Sequence, residues 1–299
     1  MIRLNPVFQK EYMLMTRSIK MIVTVLIFNA ILSIFGFAVF YSIINTAKYT
    51  GVVDYSSMLN LYYVMAFIEF VMVALIVPAI SSGAISGERE KQTLDILLTT
   101  RMTPLKIVTG KLMSSIITIM LLIISSFPIL ALIFAFGGVS LSQLMLMALI
   151  MIVSAGYIGS ISIMYSAVLK RTSSAGVASY GTVMGIYVGI LVIVVGIYLI
   201  KTNILANSET IKNYNLSGLA FLLLIDPAFT FFSWLTELSQ VDYNTTTALN
   251  ALGIHSELVI NNWITISMFV QLLISLLAIK KAESALKPAK KQKIRKNRR

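Results

Sequence analysis

Long apolar runs alternate with short polar segments along the whole chain. Six runs have about 17 residues or more, which is the length a helix needs to cross the ~30 Å hydrocarbon core of a membrane. We predict that each run is a transmembrane helix, because soluble core helices and strands are shorter. The six runs, spans one to six, are Ile19–Ile44, Met58–Ser81, Leu112–Phe136, Leu144–Leu169, Gly176–Ile200 and Trp263–Ile279.

The composition agrees with a membrane protein. The chain has 299 residues, of which 58% are hydrophobic and 12% charged, and its mean hydropathy is +0.87. A soluble domain carries about twice that share of charged residues, so an ordinary soluble enzyme is excluded. With no cysteine and one histidine, His255, Cys-ligated zinc, thiol catalysis and a His-rich metal site are excluded as well. The predicted fold class is therefore all-α and polytopic.

The basic residues predict the orientation of the spans. Of 24 Lys and Arg, four precede span one, five lie between spans two and three, two follow span four, and ten lie from Lys280 onward. Three remain for the other side, namely Lys48, Lys201 and Lys212. Cytoplasmic loops carry the excess of cations, so both termini are predicted to be cytoplasmic. A nucleic-acid partner is thus not needed to explain the net charge of +12.

One further apolar segment, Leu216–Leu235, is interrupted by Asp226-Pro227. Asp is a good N-cap and Pro is tolerated at the first helical position, so the pair predicts one helix ending and another beginning. Each half has about ten residues, too few to cross the membrane. We predict a re-entrant or interfacial helical hairpin, entered from the outside. Residues 1–280 then form one transmembrane domain with an outer region at 201–262, followed by a basic tail at 281–299.

The loop between spans two and three predicts a short amphipathic helix from Ser86 to about Arg101. Glu88 and Glu90 fall in its first turn, which suits the helix dipole. Leu94, Leu97 and Leu98 have helical spacing and form an apolar stripe, and Pro104 is expected to end the helix. Two interpretations are open at this point. The helix docks in the groove of a partner, or it packs on its own bundle.

The residues of this region resemble a known family. The segment Gly83–Leu98, followed by Thr103-Pro104 and Gly110-Lys111-Leu112, is similar to the membrane subunits of type-2, export-class ATP-binding-cassette (ABC) transporters. The N-terminal Asn5–Tyr12 segment resembles the amphipathic elbow helix of that family. The resemblance implies a permease that pairs with a second permease, identical or paralogous, and with two cytosolic ATPase subunits. It also implies that the coupling residues are Glu88, Glu90, Thr93, Leu94, Leu97 and Leu98.

The chain lacks the phosphate-binding sequence of an ATPase. Gly110-Lys111 has Leu105 where G-x-x-x-x-G-K-[ST] requires glycine, and Leu112 where it requires Ser or Thr. We therefore expect no cofactor in this chain, with ATP and Mg²⁺ bound by a partner subunit.

The alternatives to a permease are an intramembrane enzyme and a six-span secondary carrier. The first needs a buried catalytic pair and the second needs ionisable relay residues. The expected cargo is amphipathic or hydrophobic, and the expected location is a bacterial cell membrane.

Two features inside the spans are candidate functional sites. Glu69 is an ionisable residue in the middle of span two, where a charge is costly. It is interpreted either as a cavity or gating contact or as a group that forms a hydrogen bond to a neighbour such as Asn29 in span one. Span five carries Gly181, Gly185 and Gly189 at four-residue spacing, a face that permits close helix approach. We expect this face to pack within the subunit against small residues of span four, with a dimer seam as the alternative.

The predicted topology can be tested by labelling, because the chain has no native cysteine. Single cysteines replacing Ser208 and Asn250 should react with an impermeant thiol reagent added to intact cells. A cysteine replacing Gln292 should not react until the cells are opened. Labelling of position 292 in intact cells would contradict six spans and indicate that Leu216–Leu235 crosses the membrane.

Overall fold

A computed structural model describes residues 6–51, 55–94, 102–135, 140–200, 217–239 and 245–287. Throughout these ranges the regular structure is helical, and they contain no strand. Six of their helices are long and apolar enough to cross a membrane. The prediction of an all-α, polytopic membrane protein with six long spans is confirmed. The basic tail beyond residue 287 lies outside the described residues.

The six spans are longer than the apolar runs that predicted them. In order they are Ile19–Thr50, Tyr55–Ser81, Pro104–Ala135, Leu141–Val168, Thr172–Leu199 and Trp263–Leu286. A helix at Pro6–Thr16, called the elbow helix below because it lies where that element was predicted, precedes span one, and a loop helix, Ser86–Glu90, follows span two. Between spans five and six lie Ser217–Ala220, the 3₁₀ segment Phe221–Ile225, Pro227–Ser239, Thr245–Ala251 and Glu257–Asn261.

Capping residues explain where several spans begin and end. Span one ends at Gly51, whose φ of 72° is the left-handed conformation that glycine adopts without penalty. Span four begins with a reciprocal cap in which Ser140 and Gln143 each accept a backbone N–H of the other. Met102 and Thr103, directly before Pro104, are not helical, and the predicted end of the loop helix falls in residues 95–101, outside the described residues. Pro104 is the first residue of span three, a position where its missing N–H is not needed.

Span four lies at the centre of the bundle. About 61% of its apolar window is buried, compared with 11% for spans one and five. Its small residues face spans two and three, since a Cβ added to Gly159 would lie 3.3 Å from Leu112 and 3.6 Å from Val77. The predicted packing of these small residues against span five is therefore wrong. Small side chains instead let span four approach two neighbours closely.

The segment after span five breaks sharply at Asp226-Pro227. The helices on either side are bent by 97°, and Asp226 Oδ1 accepts the backbone N–H of Ala228 at 2.8 Å. The predicted N-cap at Asp226 is thus present, with Pro227 as the first helical residue. Counting the bent pair as one broken span would raise the total for the described residues to seven.

Polar and aromatic contacts hold this bent pair of helices, called the hairpin below after its predicted form, against the spans. Thr230 Oγ1 and Ser267 Oγ of span six lie 2.5 Å apart, and the Gln271 amide donates to both oxygens at 3.0 Å. On the opposite side, Phe231 stacks on Phe70 of span two with ring centroids 4.3 Å apart. Hydrogen bonds and close packing are the contacts that associate helices in a membrane. The hairpin is therefore fixed to spans two and six.

Candidate functional site

The loop helix is shorter than its sequence predicted. It ends after Glu90 because Gln92 adopts a left-handed conformation with φ of 59°. The Thr93 N–H bonds the Glu88 carbonyl at 2.9 Å, and the Gln92 N–H bonds the Arg89 carbonyl at 3.0 Å. This pair of bonds is the Schellman motif, which satisfies the last carbonyls of a helix. The predicted continuous helix from Ser86 to Arg101 is wrong as far as the described residues extend, to Leu94.

Glu88 joins the loop to two other elements through a buried lysine. Lys111 Nζ, in the first third of span three, lies 2.6 Å from Glu88 Oε1 and 2.6 Å from Glu11 Oε1 of the elbow helix. The Lys111 side chain is 7% exposed and that of Glu88 16%. One cation therefore bridges two carboxylates away from bulk water. We call Glu11, Lys111 and Glu88 the ion triad.

Arg89 and Glu90 contact the junction between spans four and five. The Arg89 guanidinium donates to the carbonyls of Ala167 and Leu169, both at 3.0 Å, at the end of span four. The Glu90 carboxylate accepts the backbone N–H of Thr172 at 2.8 Å, at the start of span five. A cation at a helix C-terminus and an anion at a helix N-terminus both match the helix dipole. Two adjacent residues of opposite charge thus cap two consecutive spans.

A serine from span four caps the loop helix itself. Ser166 Oγ accepts the backbone N–H groups of Ile85 and Ser86, both at 2.9 Å. The Ser86 hydroxyl bonds the Ser82 carbonyl at 3.0 Å. The cap thus comes from a residue 80 positions away.

Sequence reasoning also missed the roles of Lys111, Arg89 and Ser166, whose partners are distant in the chain. The signal that could have found Lys111 is a lone cation directly before an apolar run.

The leucines of the predicted stripe are only partly described. Leu94 is 4% exposed and belongs to an apolar cluster with Val108, Leu112, Ala167 and Leu286. It packs on its own bundle in this structure, which for Leu94 is the second of the two interpretations that the sequence left open. Thr93 is exposed, and its hydroxyl donates to the Glu88 carbonyl at 3.1 Å. Leu97 and Leu98 lie outside the described residues.

The intramembrane candidates Glu69 and Asn29 bond to consecutive serines of span three. Ser126 Oγ donates to Glu69 Oε1 at 2.5 Å, and Asn29 Nδ2 donates to Ser125 Oγ at 2.9 Å. The suggested bond between Glu69 and Asn29 is therefore replaced by one bond from each to span three. Glu69 is fully buried, so contact with cargo would need a different conformation. Both residues tie spans one and two to span three.

The glycine face of span five is open. A Cβ added to Gly181 or Gly185 would meet nothing within 4 Å, and one added to Gly189 would meet only the Met184 carbonyl of its own helix, at 4.0 Å. The expected packing of this face within the subunit is therefore wrong for the described residues. Residues Gly185–Gly189 form a π-helical turn, a feature that is frequent at functional sites.

Comparison with known families identifies the protein class. Residues 6–284 match the family described as ABC-2 family transporter protein. The chain belongs to this family. The ABC-2 match extends from the start of the elbow helix into the last turn of span six, so nearly all of the described residues lie inside it. A comparison with individually curated proteins gave no match.

Membership in the ABC-2 family makes the chain a permease component of an ABC transporter. It implies a multi-pass membrane protein that takes part in transport and associates with ABC ATPase subunits. Across the described residues, no three His, Asp or Glu side chains are grouped so as to hold a metal ion. The contacts of the loop join the elbow helix to spans three, four and five.

Removal of the Lys111 cation tests how much the ion triad contributes to the stability of the protein. Lys111→Met leaves two carboxylates without a counter-charge, and breaking a buried ion pair in this way costs about 3 kcal/mol or more. We expect a marked loss of thermal stability of the detergent-purified protein. Adding Glu11→Gln and Glu88→Gln to Lys111→Met should restore much of that stability. The control is Lys91→Met at an exposed position, and equal losses at Lys91 and Lys111 would contradict a buried triad.

Proposed function

We propose that this chain is the permease subunit of an ATP-driven exporter and forms half of its translocation pathway. The observation that carries the proposal is the loop after span two, whose three consecutive charged residues each bond a different part of the bundle. A movement of this loop would be transmitted directly to spans three, four and five. ATP and Mg²⁺ are bound by cytosolic ATPase subunits, and their closure supplies the movement.

The proposed coupling assigns new roles to the predicted residues. Glu88 and Glu90 hold the loop to the spans and do not themselves meet the ATPase. Leu94 anchors the loop in the apolar cluster at the cytosolic end of the bundle. Thr93 lies at the exposed turn, beside the segment that carries Leu97 and Leu98. The ATPase contacts this exposed turn and the residues that follow it.

The cargo proposed for this exporter is amphipathic or hydrophobic, such as a peptide, a lipid or a drug. Spans one and five bury little of their surface within the chain, and apolar side chains dominate their exposed faces. A pathway lined by such faces would favour apolar molecules over sugars. Glu69 and Asn29 hold the spans together in this conformation and face a pathway only if spans one to three rearrange.

A second permease subunit, identical or paralogous, completes the pathway. The glycine face of span five supports this pairing, because three glycines leave space that none of the described helices fills. Small residues in line allow two helices to approach closely and gain van der Waals contact. Both partners lie in a bacterial cell membrane with their termini in the cytoplasm, and the hairpin enters the bilayer from the outside.

A variant of Glu90 tests whether the loop couples ATP hydrolysis to transport. Glu90→Ala removes the carboxylate that accepts the backbone N–H of Thr172 at the start of span five. Its loss destabilises the attachment of the loop to span five by about 1 kcal/mol. The ratio of detached to attached loop therefore rises about five-fold. In vesicles containing the complex with its ATPase, transport should fall by about that factor while ATP hydrolysis persists. Glu90→Gln keeps an acceptor oxygen and should have a smaller effect.

The matched control for Glu90 is Glu257→Ala, which changes an exposed acid in the first turn of an outer helix. It should leave transport unchanged. If Glu90→Ala lowered transport and ATP hydrolysis in equal proportion, the loop would affect assembly of the complex and not coupling.

A variant of Gly185 tests the pairing of two permeases. Gly185→Leu places a large side chain on an open face, so the single subunit should fold with normal yield while the dimer is lost. Gly159→Leu, which would collide with Leu112, should instead reduce the folded yield. Ile186→Leu, one position along the helix from Gly185, should be mild. Particle mass in detergent separates these cases, and a Gly185→Leu protein that remains dimeric would exclude this face as the seam.

A further inference from the structure

Asp226 caps the second helix of the hairpin with only one of its two carboxyl oxygens. Oδ1 accepts the Ala228 N–H at 2.8 Å, whereas Oδ2 has no hydrogen-bond partner among the described residues. The whole residue is buried, with 0% of its surface exposed. A cap needs one acceptor oxygen, which an uncharged side chain such as that of asparagine supplies equally well. The second, buried oxygen is therefore not explained by capping.

The surroundings of Asp226 contain no counter-charge. Within the described ranges, no Lys or Arg lies within ion-pair distance of its carboxyl group. Its charge acts on two tyrosines, Tyr157 of span four and Tyr187 of span five, and tyrosine is uncharged near neutral pH. A carboxylate that is buried without a counter-charge is costly, and it becomes neutral by taking up a proton. The attached hairpin therefore favours the protonated form of Asp226.

The other elements packed on the hairpin do not supply the missing charge. Spans four and five carry no ionisable side chain other than tyrosine, and those of span six begin at Lys280, near its far end. The acids of the remaining elements are Glu69 of span two, which accepts the Ser126 hydroxyl, and Glu237, which is exposed on the second hairpin helix. The hydrogen bonds and ring stacking that fix the hairpin to spans two and six are uncharged. Asp226 is thus the ionisable group within the attachment itself.

We propose that Asp226 is a proton-binding site, at which a bound proton holds the hairpin against spans four and five and loss of the proton releases it. The inference goes beyond the proposed function, because it assigns a ligand, the proton, to the hairpin and requires no ATPase. The 97° break lies at Asp226, so the charge would form at the point about which the two helices turn.

The pH range of the release depends on the two states of the carboxyl group. Asp226 lies outside the six spans, and burial raises the pKa of its carboxyl group to about 7, although backbone N–H groups of the following helix act in the opposite direction. In a detached hairpin the group is in water and has the ordinary aspartate pKa of about 3.9. The contribution of the proton to attachment is therefore complete below about pH 4 and is lost as the pH rises to about 7.

Cysteine labelling measures the release directly, because the chain has no native cysteine. Ser233→Cys places a thiol on the second hairpin helix at a position with 0% exposure, so it should react with a small maleimide only when the hairpin detaches. Its labelling rate in the detergent-purified protein is divided by that of Asn250→Cys, an exposed thiol, which removes the pH dependence of thiol reactivity itself. We expect this ratio to rise by up to about ten-fold per pH unit between about pH 5 and about pH 7, and to level off above that range.

The matched variant is Asp226→Asn, which keeps an acceptor oxygen for the Ala228 N–H and cannot ionise. In this background the ratio should stay at the low value of acidic pH throughout the range. Glu69→Gln with Glu237→Gln removes the two other acids and should leave the pH dependence unchanged. Ser115→Cys, buried in span three, reports general unfolding, and its ratio should not rise.

Two further measurements guard against misfolding. Trp234 lies in the hairpin and Trp263 packs on Phe229 of the hairpin, and both tryptophans are buried. Their fluorescence emission at acidic pH therefore shows whether a variant is folded there. Asp226→Ser provides a second uncharged cap and should likewise give a low ratio that does not change with pH.

Three results would overturn the proposal. They are a pH-independent ratio at position 233 in the otherwise unchanged protein, a rise that persists in Asp226→Asn, and a rise that disappears when Glu69 and Glu237 are replaced. An equal rise at position 115 would mean that the whole bundle loosens, and the proposal would again be wrong. None of these results bears on the permease function, which the Glu90 and Gly185 variants test.

Discussion

A charged side chain that leaves bulk water needs a partner, and the end of the bundle that carries the loop helix is organised by that requirement. Lys111 is the central case, because its ammonium holds a carboxylate of the elbow helix and one of the loop at 2.6 Å. Arg89 and Glu90 then bind the ends of spans four and five. The fold of the loop and the contact of the elbow helix follow from these pairings.

Polar side chains inside the membrane also need hydrogen-bond partners, and here those partners are uncharged. Glu69, Asn29, Thr230 and Gln271 each bond a polar side chain on another helix. Lipid offers little hydrophobic force between spans, so such bonds and close packing of small residues decide which helices are neighbours. They bring spans one and two onto span three and the hairpin onto span six, around the buried span four.

The spans differ in how much of their surface is buried within the chain, and this difference is relevant to the proposed mechanism. Span four is mostly buried within the chain, whereas spans one and five are largely exposed and span five has an open glycine face. A half-transporter that pairs with a second permease would need such a free side. The loop contacts the start of span five at Thr172, which is the end that faces the ATPase in the proposed orientation. Span five would thus link the energy source to the pathway.

Span number, helical class and the cap at Asp226 could be predicted from the sequence, because membrane thickness and local capping chemistry act within one segment. The motif of Gly83–Leu98 likewise indicated the family. Only the tertiary structure decided that Glu88 and Glu90 point inward, that Gln92 ends the loop helix, and that Leu94 is buried. Those outcomes depend on Lys111, Thr172 and Ser166, which are 23 to 82 residues away from their partners in the chain. The periodicity of a segment gives no information about which distant side chain will satisfy its charges.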